Sequence, residues 1–553
     1  MHHLGDRHAA GRRRLVAVAL AGALAIAACG GDDDDDASAD ETAAAAPDET
    51  GASGTSGTSG TSSSGATDTT AGDAPVAAEG GTLRVAAVAD PSSLDPQVGP
   101  GGNDHVMLYP IFDTLIRFEP ETMEPQPGLA SAWSFDDPQT LRLTLNEGIT
   151  FQDGTPLDAE AVKASLERFQ EIGAHADLAN VTSVEVASPT EVVLHLGTPD
   201  SSMLLVLADR AGMVVSPTAS ADRDAFAQHP VGAGPFSFVE FRPGDHITYE
   251  RYADYWGEQQ PTLDGIEMRI IPDRKAAANA LLAGQVDFAY GLDAADYASL
   301  ESNDDLAIGG DTTLAFDMVY FNQGQPPLDD ARVRNALNLA IDRDELVAGA
   351  LDGRGEPAWL PVPPSHWSYD DEAVPTWPRD VERARELMAE AGYADGATVT
   401  LLVPTQGSVP TTEAEILKAQ LEGIGVTLEI TTMDINSAIQ QYFEAQAYNA
   451  FIAGWSGRPD VGLTYSRLFS EDTYQNPAKV PIAGLDEVLA QAIATEDLEE
   501  RATHYAEANA LITAEAPYMP LVYRHGITAH TDGVTGYTPS LLGKPNVSFL
   551  GLS

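Results

Sequence analysis

Between residues 398 and 430 the chain reads strand, helix, strand. An apolar run over 398–403 precedes a helix capped by Thr412 with Glu415 at its third position. Gly423 and Gly425 break that helix, and a second apolar run covers 426–430. Two strands joined through a helix cannot pair as a hairpin, so the connection is a crossover and the strands lie parallel. A parallel pair needs helices on its faces, which makes this part of the chain α/β. A preceding helix, capped by Asp380 and stopped by Gly392, extends the alternation, so residues 316–517 are expected to form one α/β domain. Ligands of such sheets sit beyond the carboxyl ends of the strands.

The same alternation runs upstream. Gly81-Thr82 opens a strand over 83–89, ended by Pro91 and the turn-forming Ser92-Ser93-Leu94-Asp95-Pro96. Leu141, Leu143 and Leu145 alternate with polar residues, the period of a half-buried strand, and Asp158 caps a helix whose Val162, Leu166 and Phe169 share one face. A helix over 276–283 ends at Gly284, and Val286-Asp287-Phe288 begins a strand. The Asp329-Asp330 cap starts a helix bearing Val333, Leu337 and Ile341, and Asp342 with Glu345 has the spacing of a capping box. With 43% apolar residues in 553, these stripes are enough for sizeable cores.

The amino terminus is built differently. Arg7, Arg12, Arg13 and Arg14 precede a 14-residue apolar run, Leu15 to Ala28, that meets the only cysteine, Cys29. A run this short does not span a bilayer as a helix, which takes about 20 residues, and it reads as a cleaved export signal over 1–28. Ile26-Ala27-Ala28-Cys29 resembles the bacterial lipobox, which implies that Cys29 becomes an acylated first residue holding the mature protein at a membrane surface. Residues 30–80 carry twelve acids, no Lys or Arg, and three Gly-Thr-Ser repeats, so 29–80 is read as a lipidated cysteine and an acidic tether unable to bury a core.

Thirty basic against 84 acidic side chains give a net charge of −54, which excludes a nucleic-acid partner because a phosphate backbone would be repelled. No Walker pattern, His-Glu-x-x-His, cysteine pair or Gly-x-Ser-x-Gly is present, so nothing encodes ATP hydrolysis, a zinc site or a serine nucleophile. No cofactor and no metal is expected, and the chain is read as a binding protein rather than an enzyme.

A series of blocks gives a positive reading. In order they are Ser93-Leu94-Asp95-Pro96, Phe112-Asp113-Thr114-Leu115-Ile116, Gly128-Leu129-Ala130, Phe151-Gln152-Asp153-Gly154-Thr155-Pro156-Leu157, Gly232-Ala233-Gly234-Pro235-Phe236 and Tyr255-Trp256-Gly257. Leu281-Leu282-Ala283-Gly284-Gln285-Val286-Asp287, Asp330-Ala331-Arg332-Val333-Arg334, Gly454-Trp455-Ser456-Gly457 and Ala516-Pro517-Tyr518-Met519-Pro520-Leu521 complete it. Together they resemble the family 5 extracellular solute-binding proteins, the oligopeptide, dipeptide and nickel receptors of ABC importers. The resemblance implies an α/β, two-lobed periplasmic-binding-protein-like fold of type II, with hinge closure around the ligand. Lobe one would be 81–315 plus 518–553, with an extra subdomain near 126–215, and lobe two 316–517. It further implies capture of a peptide or other small organic solute by a monomer outside the cytoplasm, and delivery to a permease with separate ATPases.

Site residues follow from where the family lines its cleft. Gly101, Gly102 and Asn103 would let ligand backbone approach, as an added strand does. Trp455 and Ser456 match the tryptophan block that flanks ligand in relatives, and Tyr523 lies just past the second hinge crossing. Many peptide-binding relatives have an aspartate for the ligand's α-ammonium where this chain has Arg458. Either Asp460 takes the amine, or Arg458 meets a carboxylate or phosphate bidentately.

Overall fold

The computed structural model describes residues 80–98, 104–172, 177–374, 376–405 and 408–553. Cys29, the signal, the tether to residue 79, and Gly101, Gly102 and Asn103 therefore lie outside the described residues.

Aspartates start many of the helices. Asp273, Asp330, Asp342, Asp380 and Asp434 each accept a hydrogen bond from a first-turn backbone N–H, a group with no partner inside its helix. Two expected helix starts differ from the structure. The helix before the second parallel strand is Val409–Glu422, so Thr412 lies within its first turn, with its hydroxyl donating back to the Ser408 carbonyl at 3.1 Å. Pro410 explains the earlier start, because proline suits a helix's first turn, where its missing N–H costs nothing. At Asp342 the capping box is half made. Asp342 accepts from the Glu345 N–H at 3.2 Å, but Gln420 of the neighbouring helix accepts from the Asp342 N–H at 2.8 Å and donates to Glu345.

The strands Ala397–Pro404 and Val426–Met433 are parallel in register from Ala397↔Val426 to Pro404↔Met433, as the crossover demanded. They belong to an 11-stranded sheet. Its order is Val426–Met433, Ala397–Pro404, Ala450–Trp455, Leu306–Phe321, Tyr518–Thr531, Phe288–Leu292, Thr82–Ala87, Gly265–Ile270, His246–Arg251 and Phe236–Arg242, with Gly355–Pro357 added on Tyr518–Thr531. Leu306–Phe321 and Tyr518–Thr531 run antiparallel through its middle, and their ladder breaks between Thr312 and Phe316. Beyond the break Phe316–Phe321 also pairs with Ala450–Trp455, and before it Tyr518–Thr531 pairs with Phe288–Leu292. The two long strands thus join the two halves of the sheet.

Separate cores sit on the two halves. Leu83, Val85, Phe236, Met268 and Phe288 fill one, Val319, Leu337, Leu401, Leu417 and Ile452 another, and Phe316, Tyr442, Phe451 and Tyr505 the opposite face. A four-stranded sheet, Ala130–Asp137, Thr140–Leu145, Glu191–Leu196 and Val181–Ser188 in spatial order, packs under the helix Ala159–Ile172 with Val162, Leu166 and Phe169 buried as their spacing predicts. Among the described residues no helix is long and apolar enough to cross a membrane, and no group of three or more His, Cys, Asp or Glu could hold a metal.

Candidate ligand-binding site

The strand Ala450–Trp455 ends with Trp455 paired to Phe316, beside the break in the central ladder. Gly457 follows at φ +70°, and a β-carbon there would lie 2.3 Å from the Leu314 Cβ. Only glycine allows both that conformation and that approach. Leu314 in turn donates its N–H to the Leu541 carbonyl at 2.7 Å, so the 455–460 loop and the 541–544 segment meet on one central residue.

Along this loop the side chains diverge. Trp455 is buried, and its indole N–H donates to Thr464 at 3.3 Å. Ser456 is exposed and accepts from Arg458 at 3.3 Å. Arg458 also donates to the Gly457 carbonyl at 2.9 Å, and its guanidinium lies 5.0 Å from the Trp455 ring centroid. Among the described residues it has no carboxylate within ion-pair distance. Burial, then the charge of Arg467, lowers its pKa, while Asp209 and Asp177 from the other half of the molecule pull it back up.

Asp460 is fully buried. It caps the helix Val461–Phe469 by accepting from Gly462 N–H at 2.7 Å, and both its oxygens accept from Arg501, at 2.8 and 2.9 Å. The Arg501 guanidinium lies 5.1 Å from the Trp367 ring centroid and donates to Tyr505 at 3.3 Å. Arg458 and Asp460, two residues apart, do not pair with each other. Tyr523 is likewise enclosed. Its hydroxyl is within hydrogen-bond distance of the Leu360 and Val362 carbonyls at 2.8 and 2.6 Å, accepts from the Leu360 N–H at 3.2 Å, and so holds the segment that leads to Trp367.

The opposing wall comes from elsewhere in the chain. Asp209 accepts from the Arg210 N–H at 2.8 Å and pairs with His105; these contacts, with the nearby Lys544, lower its pKa against the upward push of burial. Arg210 donates to the Pro96 and Val98 carbonyls at 2.8 Å each. Among the described residues, direct links cross between the four-stranded subdomain side and the far helices. Ser201 N–H donates to the Ile493 carbonyl at 2.7 Å, and Arg467 lies 3.5 Å from Asp177. Beside them a cavity of about 190 Å³ is lined by Trp133, Leu204 and Leu205 on one side and Trp367, Asp460 and Arg501 on the other. No local motif marks Trp367, Arg501, Asp209 or Lys544, since each is placed by a different element.

A second buried cluster lies on the other face of the sheet. Glu413 is fully buried, with neither carboxylate oxygen hydrogen-bonded among the described residues, facing Asp317, which pairs with Arg524 at 2.5 Å. Burial first, then the Asp317 charge, raises the Glu413 pKa well above the usual carboxylate range, against a downward pull from Arg524.

Residues 124–477 match the family model for bacterial extracellular solute-binding proteins, family 5. The chain belongs to that family. The glutathione-binding protein GsiB of Shigella dysenteriae is 31% identical over 463 residues, which cover 81% of this chain and 90% of that one. The periplasmic binding protein AgaA of A. tumefaciens R10, solved with agropinic acid, superposes with a TM-score of 0.72 at 26% identity, covering 86% of this chain and 99% of AgaA. The dipeptide-binding protein of Pseudoalteromonas sp. SM9913, solved with Met-Leu, gives 0.71 at 25% identity, covering 86% and 100%. The family 5 fold is the two-lobed one, in keeping with a large mixed sheet whose two halves are joined by the two long central strands.

Proposed function

We propose that this family 5 protein captures a peptide-like solute bearing a carboxylate and delivers it to an ABC-type import permease powered by separate ATPases. The lobes are taken as 81–315 with 518–553, and 316–517. The observation that carries the reading is Arg458, a half-buried guanidinium at the cleft with no carboxylate partner among the described residues. A guanidinium in that setting favours a planar anion held bidentately, and a water-poor site strengthens the contact. Relatives that bind glutathione, agropinic acid and Met-Leu support a ligand of this class. Asp460 is left out of ligand contact because Arg501 and Gly462 engage its oxygens, and Tyr523 supports the cleft wall instead of touching the solute. Trp455 and Ser456 flank the ligand; Gly101, Gly102 and Asn103 are assigned the opposite wall from the family resemblance. Acylation of Cys29 holds the monomer at the outer face of the membrane, and Cys29→Ser is expected to release it into the soluble fraction.

A thermal-shift screen of the mature chain against glutathione, dipeptides, oligopeptides, sugars and metal ions tests the ligand class. A solute at 100 times its Kd adds about 2.7 kcal/mol to unfolding stability. Stabilisation by glutathione or short peptides, with the solute recovered unchanged, is the expected result. A response only to sugars or metal ions, or turnover of the solute, would overturn the reading.

A further inference from the structure

Lys544 stands at the same cleft corner as Arg458 but arrives from the carboxyl-terminal segment. Its position is set by well-defined contacts: the Leu541 carbonyl accepts from the Leu314 N–H at 2.7 Å, the Leu541 N–H donates to the Pro120 carbonyl at 2.9 Å, and the Gly543 N–H donates to the Ser540 carbonyl at 2.8 Å. Leu541 and Leu542 pack with Leu314 and Met123. A β-carbon on Gly543 would lie 3.3 Å from Thr313, and one on Gly457 would overlap Leu314. Adjacent residues of one connecting strand therefore carry Gly543 and Gly457, and with them the neighbouring cations Lys544 and Arg458.

Lys544 is partly buried, and among the described residues no hydrogen bond or ion pair reaches its ammonium. Burial lowers its pKa, Asp209 opposes this, and the charges of Arg458 and Arg210 lower it again. The nearby carboxylates are already engaged: Asp209 by His105 and the Arg210 N–H, Asp104 by Ser92 at 2.9 Å through the backbone N–H, and Asp177 by Arg467. Two cations with unengaged donors thus lie near one another, Arg458 from 316–517 and Lys544 from the carboxyl-terminal segment. Like charges at such a place oppose closure, and an anion between them reverses the sign.

Building on the carboxylate reading of the ligand, we propose that Lys544 is a second ligand contact, clamping the solute's carboxylate jointly with Arg458, so that the anion itself latches the two lobes. The ligand class narrows accordingly to acidic solutes, and a neutral ester of the same solute binds poorly.

The test compares the mature wild-type chain with Lys544→Met and Lys544→Arg, with glutathione, its dimethyl ester and glutarate as probes. Removing one charge-assisted contact weakens glutathione binding about 10- to 100-fold, and arginine restores part of it. The ester shows the weakening already in the wild type, and added salt weakens the acid more than the ester. Without any ligand, Lys544→Met melts at the same temperature or higher, because a poorly solvated, unpaired cation is gone. Equal glutathione affinity in Lys544→Met overturns the proposal; so does a lower ligand-free melting temperature with affinity retained, which makes Lys544 a structural counterion of Asp209. If no peptide-like probe binds the wild type, the peptide reading fails on its own. Glutarate then decides Lys544: stabilisation of the wild type but not of Lys544→Met supports the clamp, and an equal or absent response in both overturns it.

Discussion

Arg458 and Asp460 leave one loop two residues apart, yet the protein fully encloses the acid and leaves the base half-buried. Asp460 has its cap and a two-oxygen contact with Arg501, walled by Trp367 and Tyr505. Arg458 has a serine hydroxyl and its neighbour's carbonyl, and among the described residues no carboxylate. A buried charge is tolerated where its partner is fixed, because attraction at close range then offsets the lost hydration. A charge with unengaged donors has no such offset until a partner supplies it. Burial and charge alone do not tell structural from ligand-directed ions; the inventory of engaged donors and acceptors does.

The strongest way to break this contrast is Arg501→Met. If the pair is structural, removing the cation strands a fully buried Asp460 and lowers unfolding stability by about 3–5 kcal/mol in denaturant titrations. A loss below about 1 kcal/mol would put Asp460 back among ligand contacts. Arg458→Ala should do the reverse, leaving the denaturation midpoint within experimental scatter while weakening the best solute of the screen about 10- to 100-fold by calorimetry.

Glu413 is an intermediate case, a buried carboxyl whose neighbour Asp317 is engaged by Arg524 while its own oxygens are not. Its folded pKa is raised, so the folded state holds a proton that the unfolded chain releases above about pH 4.3. Stability from this group is present in acid and lost as pH rises toward neutrality. Glu413→Gln should therefore gain about 1–3 kcal/mol over wild type at pH 7 and little at pH 4. A difference independent of pH would mean that Glu413 is ionised in the fold. The smallest effect belongs to Arg467→Ala, whose partly exposed link to Asp177 spans 3.5 Å; stability should change by less than about 1 kcal/mol, and less again in high salt.

Much of the fold was legible because its signals are local. The parallel crossover, the Asp158, Asp330 and Asp380 helix starts and the alternation of Leu141, Leu143 and Leu145 each depend on residues within one or two turns of each other. Thr412 misled because serine, proline and threonine in succession each offer a plausible start, and Pro410 places it earlier. The Glu345 side of the capping box failed because Gln420, 75 residues away, competes for the same groups.

The site divides in the same way. Sequence alone determined the alternation of strands and helices, the family blocks and the replacement of an expected acid by Arg458, since those are properties of neighbouring residues. Only the tertiary structure decided that Asp460 belongs to Arg501, that the Tyr523 hydroxyl is held by Leu360 and Val362, and that Lys544 shares a corner with Arg458. The physical reason is that a charged group's role is set by which partners reach it in space. Here those partners come from strands, helices and turns tens to hundreds of residues away, which the central strand pair brings together.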